Sequence, residues 1–195
     1  SGANLKMKLS AGIDIYGKLI IFGTESAPVN IEPVGDDFWG RLNFFAGAEG
    51  DLKFAYLRRG NFTAGVNPEN TGAIVASNVV LNIENCAFLD AARPQNAILL
   101  NDSRTAIKNS RIAWSTDYES GARWLTGITI RNGELFINNV NFDRMDVGVD
   151  ATVGGIVDKD NMPDENFQNI KKYKWLPEDL FGILPPVVPT SSSLL

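Results

Sequence analysis

The sequence predicts an all-β protein, a parallel β-helix of about five coils, and three observations carry that reading. A nine-residue phrase, VLNIENCAF at 80–88, returns as RTAIKNSRI at 104–112 and ELFINNVNF at 134–142. In each copy an Ile is followed by an Asn and then by a large apolar residue: Ile83, Asn85, Phe88; Ile107, Asn109, Ile112; Ile137, Asn139, Phe142. A second column, centred on Ile74, Ile98 and Ile128, runs nine residues upstream and moves in lockstep with the first, stepping by 24 and then 30 residues. Between the corners apolar residues alternate with period two, and the helical period of about 3.6 is absent there. Short alternating strands that repeat every 20 to 30 residues or so, with Gly, Asn and Asp between them, are the signature of a solenoid.

Alternation puts Ile74 with Ala76, Ile98 with Leu100 and Ile128 with Ile130 on an inward face, followed by Leu81 with Ile83 and Leu135 with Ile137 on the next. Successive coils would stack about 4.8 Å apart. At a corner Asn tolerates a left-handed backbone, and its amide can bond the equivalent Asn above and below. Asn85, Asn109 and Asn139 are therefore expected to form an internal, buried amide ladder rather than a ligand site. Asn78, Asp102 and Asn132 form a second polar column with the same structural reading.

The Ile, Asn and aromatic columns resemble the right-handed parallel β-helix proteins of the pectate-lyase-like class. The stretch GKLIIFGTESAPVNI, with Gly17, Leu19, Gly23, Thr24, Pro28, Val29 and Ile31, followed by Trp39-Gly40 and LNFF, is similar to the opening module of bacterial β-helix surface proteins. The likeness covers roughly residues 5–155 and implies a right-handed coil, in keeping with the crossover rule for parallel strands. In this register the coils run 5–37, 38–71, 72–95, 96–125 and 126–155. The second is the least regular, because Phe44 to Phe54 spans ten residues rather than nine and Tyr56 stands where the Asn is expected.

Residues 156–184 read as a C-terminal capping segment that is partly helical, with Pro163 and acidic residues at the entry and Phe167, Ile170 and Tyr173 on one helix face. The Pro- and Ser-rich stretch 185–195 reads as a tail or linker. The opening Ser-Gly and the abrupt entry into the β pattern suggest a trimmed form of a larger chain.

Composition narrows the chemistry. A net charge of -5 with scattered Lys and Arg lacks the electrostatic footprint of a nucleic-acid binder. No apolar run is long enough to span a membrane as a helix. The single cysteine, Cys86, cannot form an internal disulfide and is expected to be buried. The absence of histidine removes imidazole as base, triad member and metal ligand.

Residues 113–126 and 58–71 are much longer than the matching loop at 89–95, which marks one corner as the side adapted for contact. In the pectate-lyase-like class this corner borders the substrate groove. Trp114, Tyr118, Arg123 and Trp124 are the candidate carbohydrate-binding residues, with Asp117 and Glu119 beside them, since aromatic faces next to polar groups suit sugar rings. Packing of both Trp against the coil is the structural alternative. The outward positions of the first strand column, Val75 and Ser77, Leu99 and Asn101, Thr129 and Arg131, hold no carboxylates. No pair of catalytic acids is predicted there, and Asp36-Asp37 reads as solvated loop charge. Asp143, Asp146 and Asp150, and the phrase VDKDNMPDE at 157–165, are weak calcium candidates; in the phrase, Met162 stands where an oxygen donor or glycine is expected. Asn61 and Asn101 begin glycosylation sequons. The expected protein is an extracellular or cell-surface module that contacts a glycan without cleaving it. The alternatives are a polysaccharide lyase or hydrolase acting through the long loops, and a structural spacer.

Overall fold

In the computed structural model the described residues are 2–61, 70–92, 96–116 and 125–177. A lone strand, β1 (Asn4–Met7), precedes four triplets: β2 (Ile13–Ile15), β3 (Lys18–Phe22) and β4 (Val29–Pro33); β5 (Leu42–Phe44), β6 (Glu49–Lys53) and β7 (Ala55–Arg58); β8 (Ile74–Ser77), β9 (Val80–Glu84) and β10 (Ala87–Leu89); β11 (Asn96–Asn101), β12 (Arg104–Lys108) and β13 (Arg111–Ala113). The chain then runs through β14 (Thr126–Arg131), β15 (Glu134–Asn138), β16 (Asn141–Val153), β17 (Ile156–Asp160) and β18 (Phe167–Leu176).

Neighbouring strands pair three positions apart and in parallel, so the molecule is a parallel β-solenoid of about six turns. Its first wall stacks β2, β5, β8, β11 and β14, its second β3, β6, β9, β12, β15 and β17, and its third β1, β4, β7, β10 and β13. The long β16 turns the corner between two walls, its start pairing with β13 and its end with β14, and β18 follows it around. No helix of the described residues is long and apolar enough to cross a membrane.

The predicted register holds: Ile74, Ile98 and Ile128 stack, as do Ile83, Ile107 and Ile137, and all six are buried. The corners explain why the phrase repeats. Asn85, Asn109 and Asn139 have φ of 53°, 48° and 49°, and Asn78, Asp102 and Asn132 have φ of 54°, 48° and 49°. A left-handed residue interrupts the alternation, so inward side chains sit two apart within a strand but three apart across a corner, as in Ile83 and Cys86 or Ile107 and Ser110.

The buried amide ladder is not formed. Asn109 is exposed, and the column holds one amide link, Asn139 Nδ2 to Asn109 Oδ1 at 2.9 Å. The buried ladder lies one residue later, where a side chain caps the backbone N–H of the coil below. Ala55 donates to Cys86 Sγ at 3.5 Å, Cys86 to Ser110 Oγ at 3.1 Å, and Val140 to Met162 Sδ at 3.3 Å. Asn is selected at the corner for its backbone, and its neighbour for its acceptor.

Two further expectations change. In the second coil it is Phe54, not Tyr56, that occupies the Asn position, with φ of 49°; Tyr56 lies on β7 facing outward, opposite Asn30 and Ala87. The expected helix over 163–176 is a single 3-10 turn, Asp164–Asn166, followed by the strand β18. Phe167 stacks on Phe142 with ring centroids 5.1 Å apart, and Ile170 pairs with Met145. The spacing of three that mimics a helix face comes from corners: Arg144 and Asn169, both left-handed, lie between the paired residues, and a register shift separates Ile170 from Tyr173. Residues 185–195, and 178–184 of the expected cap, lie outside the described residues.

Candidate functional site

Of the predicted contact residues, Tyr118, Arg123 and Trp124, with Asp117 and Glu119, lie outside the described residues. Trp114 is 1% exposed, and its indole N–H donates to the Ala91 carbonyl at 2.8 Å, so its ring is committed to packing. On the first wall the outward Val75, Leu99 and Thr129 pair in register yet are buried, leaving only the Ser77, Asn101 and Arg131 end of each strand partly open. Asn61 is fully buried with its amide donating to the Asn96 carbonyl, whereas Asn101 is half-buried.

Among the described residues one concave surface of about 540 Å³ lies on the second wall, over Asn82, Arg104, Glu134 and Phe136 among others, and the rest lies on the third wall and at its corner with the first. One cleft of about 510 Å³ is lined by Phe38, Arg59, Asp90, Trp114 and Ser115 among others. A second of about 380 Å³ shares Arg59, Asp90 and Ser115 with it and adds Lys6, Glu32 and Arg58. A shallower dip of about 130 Å³ over Tyr56 and Leu89 shares Glu32 and Arg58 with the second. The three form one groove running along the stack.

Parallel pairing builds its floor. Lys6, Glu32 and Arg58 occupy one outward row, with Leu89 and Ala113 beyond them, and Asn30, Tyr56, Ala87 and Arg111 occupy the next. Lys6 Nζ lies 2.7 Å from Glu32 Oε1, and Asn4 donates to the same oxygen at 2.9 Å. Those hydrogen bonds hold the Glu32 carboxyl below its ordinary range. Arg59 crosses the Phe38 ring at 5.8 Å and donates to the Asp36 carbonyl at 2.7 Å and carboxylate at 3.2 Å. Asp90 accepts the Ser115 N–H at 2.6 Å. Arg58 is exposed; its carbonyl accepts the Trp39 indole N–H at 2.7 Å, whereas its guanidinium makes no hydrogen bond or ion pair with the described residues, although it faces Glu32.

The acidic candidates for calcium do not converge. Asp143 is 6% exposed and receives Arg111, Arg144 and Asn169. Asp146 is buried at the corner, its Oδ2 accepting the Leu125 N–H at 2.8 Å and its Oδ1 without a partner. Asp150 accepts from Thr152. In the 157–165 phrase Asp160 accepts from Asn138, Asp164 pairs with Lys174, and Met162 turns its sulfur to the Val140 N–H. No group of three or more acidic or thiol side chains poised for a metal occurs among the described residues.

The groove borders the corner that the loop lengths mark; of the four residues named there Trp114 alone is described, and Tyr118, Arg123 and Trp124 lie outside the described residues. Arg58 and Arg59 open the 58–71 loop, and Asp36 was assigned to solvent. The alternation that marks Glu32 and Arg58 as outward could have found them had the second coil been in register. No protein-family model matches the chain, and no curated protein matches it in sequence.

Proposed function

We propose that the chain is a non-catalytic β-helix module of a secreted or cell-surface protein that holds carbohydrate in the third-wall groove. The observation that carries this reading is the groove itself: Phe38 and Tyr56 offer ring faces, and the Arg58 guanidinium offers planar donors with no acceptor among the described residues. The similarity of the opening coils to bacterial β-helix surface proteins supports the setting. A glycosidase needs one protonated acid facing an ionised one. Here Glu32 is held ionised, and Asp36 and Asp90 already serve as acceptors for Arg59 and Ser115.

The burial of Trp114 favours a second reading, in which the corner is packing and the module is a spacer. A glycan array separates the two. Binding that weakens on Arg58→Ala, with no release of reducing ends or unsaturated product from any bound polysaccharide, is the expected result. Turnover of a bound polysaccharide would favour an enzyme acting through the long loops, and silence across the array would favour the spacer.

A further inference from the structure

Building on that carbohydrate reading, we infer that the third wall selects a polysaccharide bearing an acidic group on every second sugar. The inference comes from where cationic side chains stand in the stack. Arg58 projects from the second coil, its guanidinium with no hydrogen-bond or ion-pair partner among the described residues. Arg111 projects from the fourth coil, its side chain 56% exposed, and reaches Asp143 only at 3.3 Å. That carboxylate already receives Arg144 at 2.9 Å and Asn169 at 2.8 Å, so Arg111 is the outer of two guanidinium groups sharing one anion.

Between them the third coil presents Ala87 and Leu89, which pair directly with Arg111 and Arg58 respectively. Neither carries a donor. The two cations are therefore two coils apart, roughly 10 Å along the stack, and two residues apart across it, roughly 7 Å, so a polysaccharide crossing the wall obliquely would meet them about one disaccharide apart. The short Ala87 and the partly exposed Tyr56 leave room for the intervening ring.

Selectivity follows from what each polymer would leave unpaired. An alternating polymer sets its acids against Arg58 and Arg111 and a neutral ring over Ala87. A polymer with an acid on every sugar would hold one charge over Ala87 and Leu89, desolvated and without a donor. A neutral polymer would offer Arg58 only uncharged hydroxyl and ring oxygens, weaker acceptors for a guanidinium than a carboxylate or sulfate.

The test is a set of binding titrations with three defined polymers: one alternating acidic and neutral sugars, one acidic at every sugar, and one neutral. The alternating polymer should bind tightest, and its affinity should fall as salt is raised. Arg58→Gln and Arg111→Gln should each weaken it about tenfold while the melting temperature stays unchanged. Equal affinity for the uniformly acidic polymer, or glutamine variants that bind like the parent, would overturn the alternating register while leaving carbohydrate binding intact. No binding to any of the three would overturn the carbohydrate reading and this inference together.

Discussion

The first two coils and the last two solve the same packing problem differently. At the start of the stack β1, β2 and β3 each pair on one side only, and Leu5, Leu9, Tyr16, Ile20 and Phe22 are all exposed. Its corners are makeshift, with bulky Phe54 held at a positive φ. In the last coils Asn109, Asn132, Asn139, Asn161 and Asn169 hold left-handed corners, and Phe142 and Phe167 form an aromatic stack closed edge-on by Trp175. Lys159 sits over the Trp175 ring at 5.0 Å and Lys174 over Phe167 at 6.0 Å. Lys159 pairs with Ile137, so the inward column of isoleucines ends in a charge. Charge at a terminal strand discourages further strand addition, whereas an apolar free edge invites it.

The largest expected difference between the two regions lies in their aromatic pairs. Tyr16 and Phe45 stack at 4.5 Å, closer than Phe142 and Phe167, yet Tyr16 is 71% exposed and Phe167 only 8%. Phe167→Ala should cost about 3 kcal/mol, and Tyr16→Ala under about 0.5 kcal/mol, by denaturant melts. Equal costs would mean that ring geometry rather than burial sets the energy, and the contrast would collapse.

Next in size is association. Pairing Ile20→Lys with Phe22→Lys on β3 should weaken concentration-dependent self-association about tenfold in sedimentation velocity, the change expected of charge placed on an edge strand. An unchanged concentration dependence would show that the first-coil edge is no stickier than the lysine-covered one.

The corners can be exchanged between regions. Phe54→Asn installs the later corner residue in the second coil and should raise stability by about 1 kcal/mol, because Asn accepts the left-handed backbone that a bulky residue resists. A loss on thermal melting would show that the Phe54 ring contributes packing that outweighs the backbone strain.

The smallest change concerns a flaw in the well-built half. Thr105 faces inward between Leu81 and Leu135, and its buried hydroxyl has no partner. Thr105→Val keeps the shape and removes that hydroxyl, so stability should rise by about 0.5 to 1 kcal/mol. A destabilised valine variant would mean that the hydroxyl finds a bond in solution.

Much of the fold was legible because a solenoid repeats its constraints. Each corner demands a left-handed residue, and each strand alternates, so Asn85, Asn109 and Asn139 announce the coil length before any contact is known. Where one corner residue departs from type, as at Phe54, the register of the second coil slips. With it went the outward assignment of Tyr56 and Arg58, which are the residues that face the groove.

The sequence by itself determined the period, the inward columns and the strand class, since these follow from local backbone preference and alternation repeated coil after coil. Only the tertiary structure decided that Phe167, Ile170 and Tyr173 extend a strand rather than a helix, because their spacing of three arises where a strand rounds a corner beside β16. Only it showed that Trp114 is packing, that the buried ladder runs through Cys86 and Ser110, and that the Arg58 guanidinium has no acceptor among the described residues. Each of those depends on which side chain the neighbouring coil happens to place about 4.8 Å away, and that neighbour lies more than twenty residues distant along the chain.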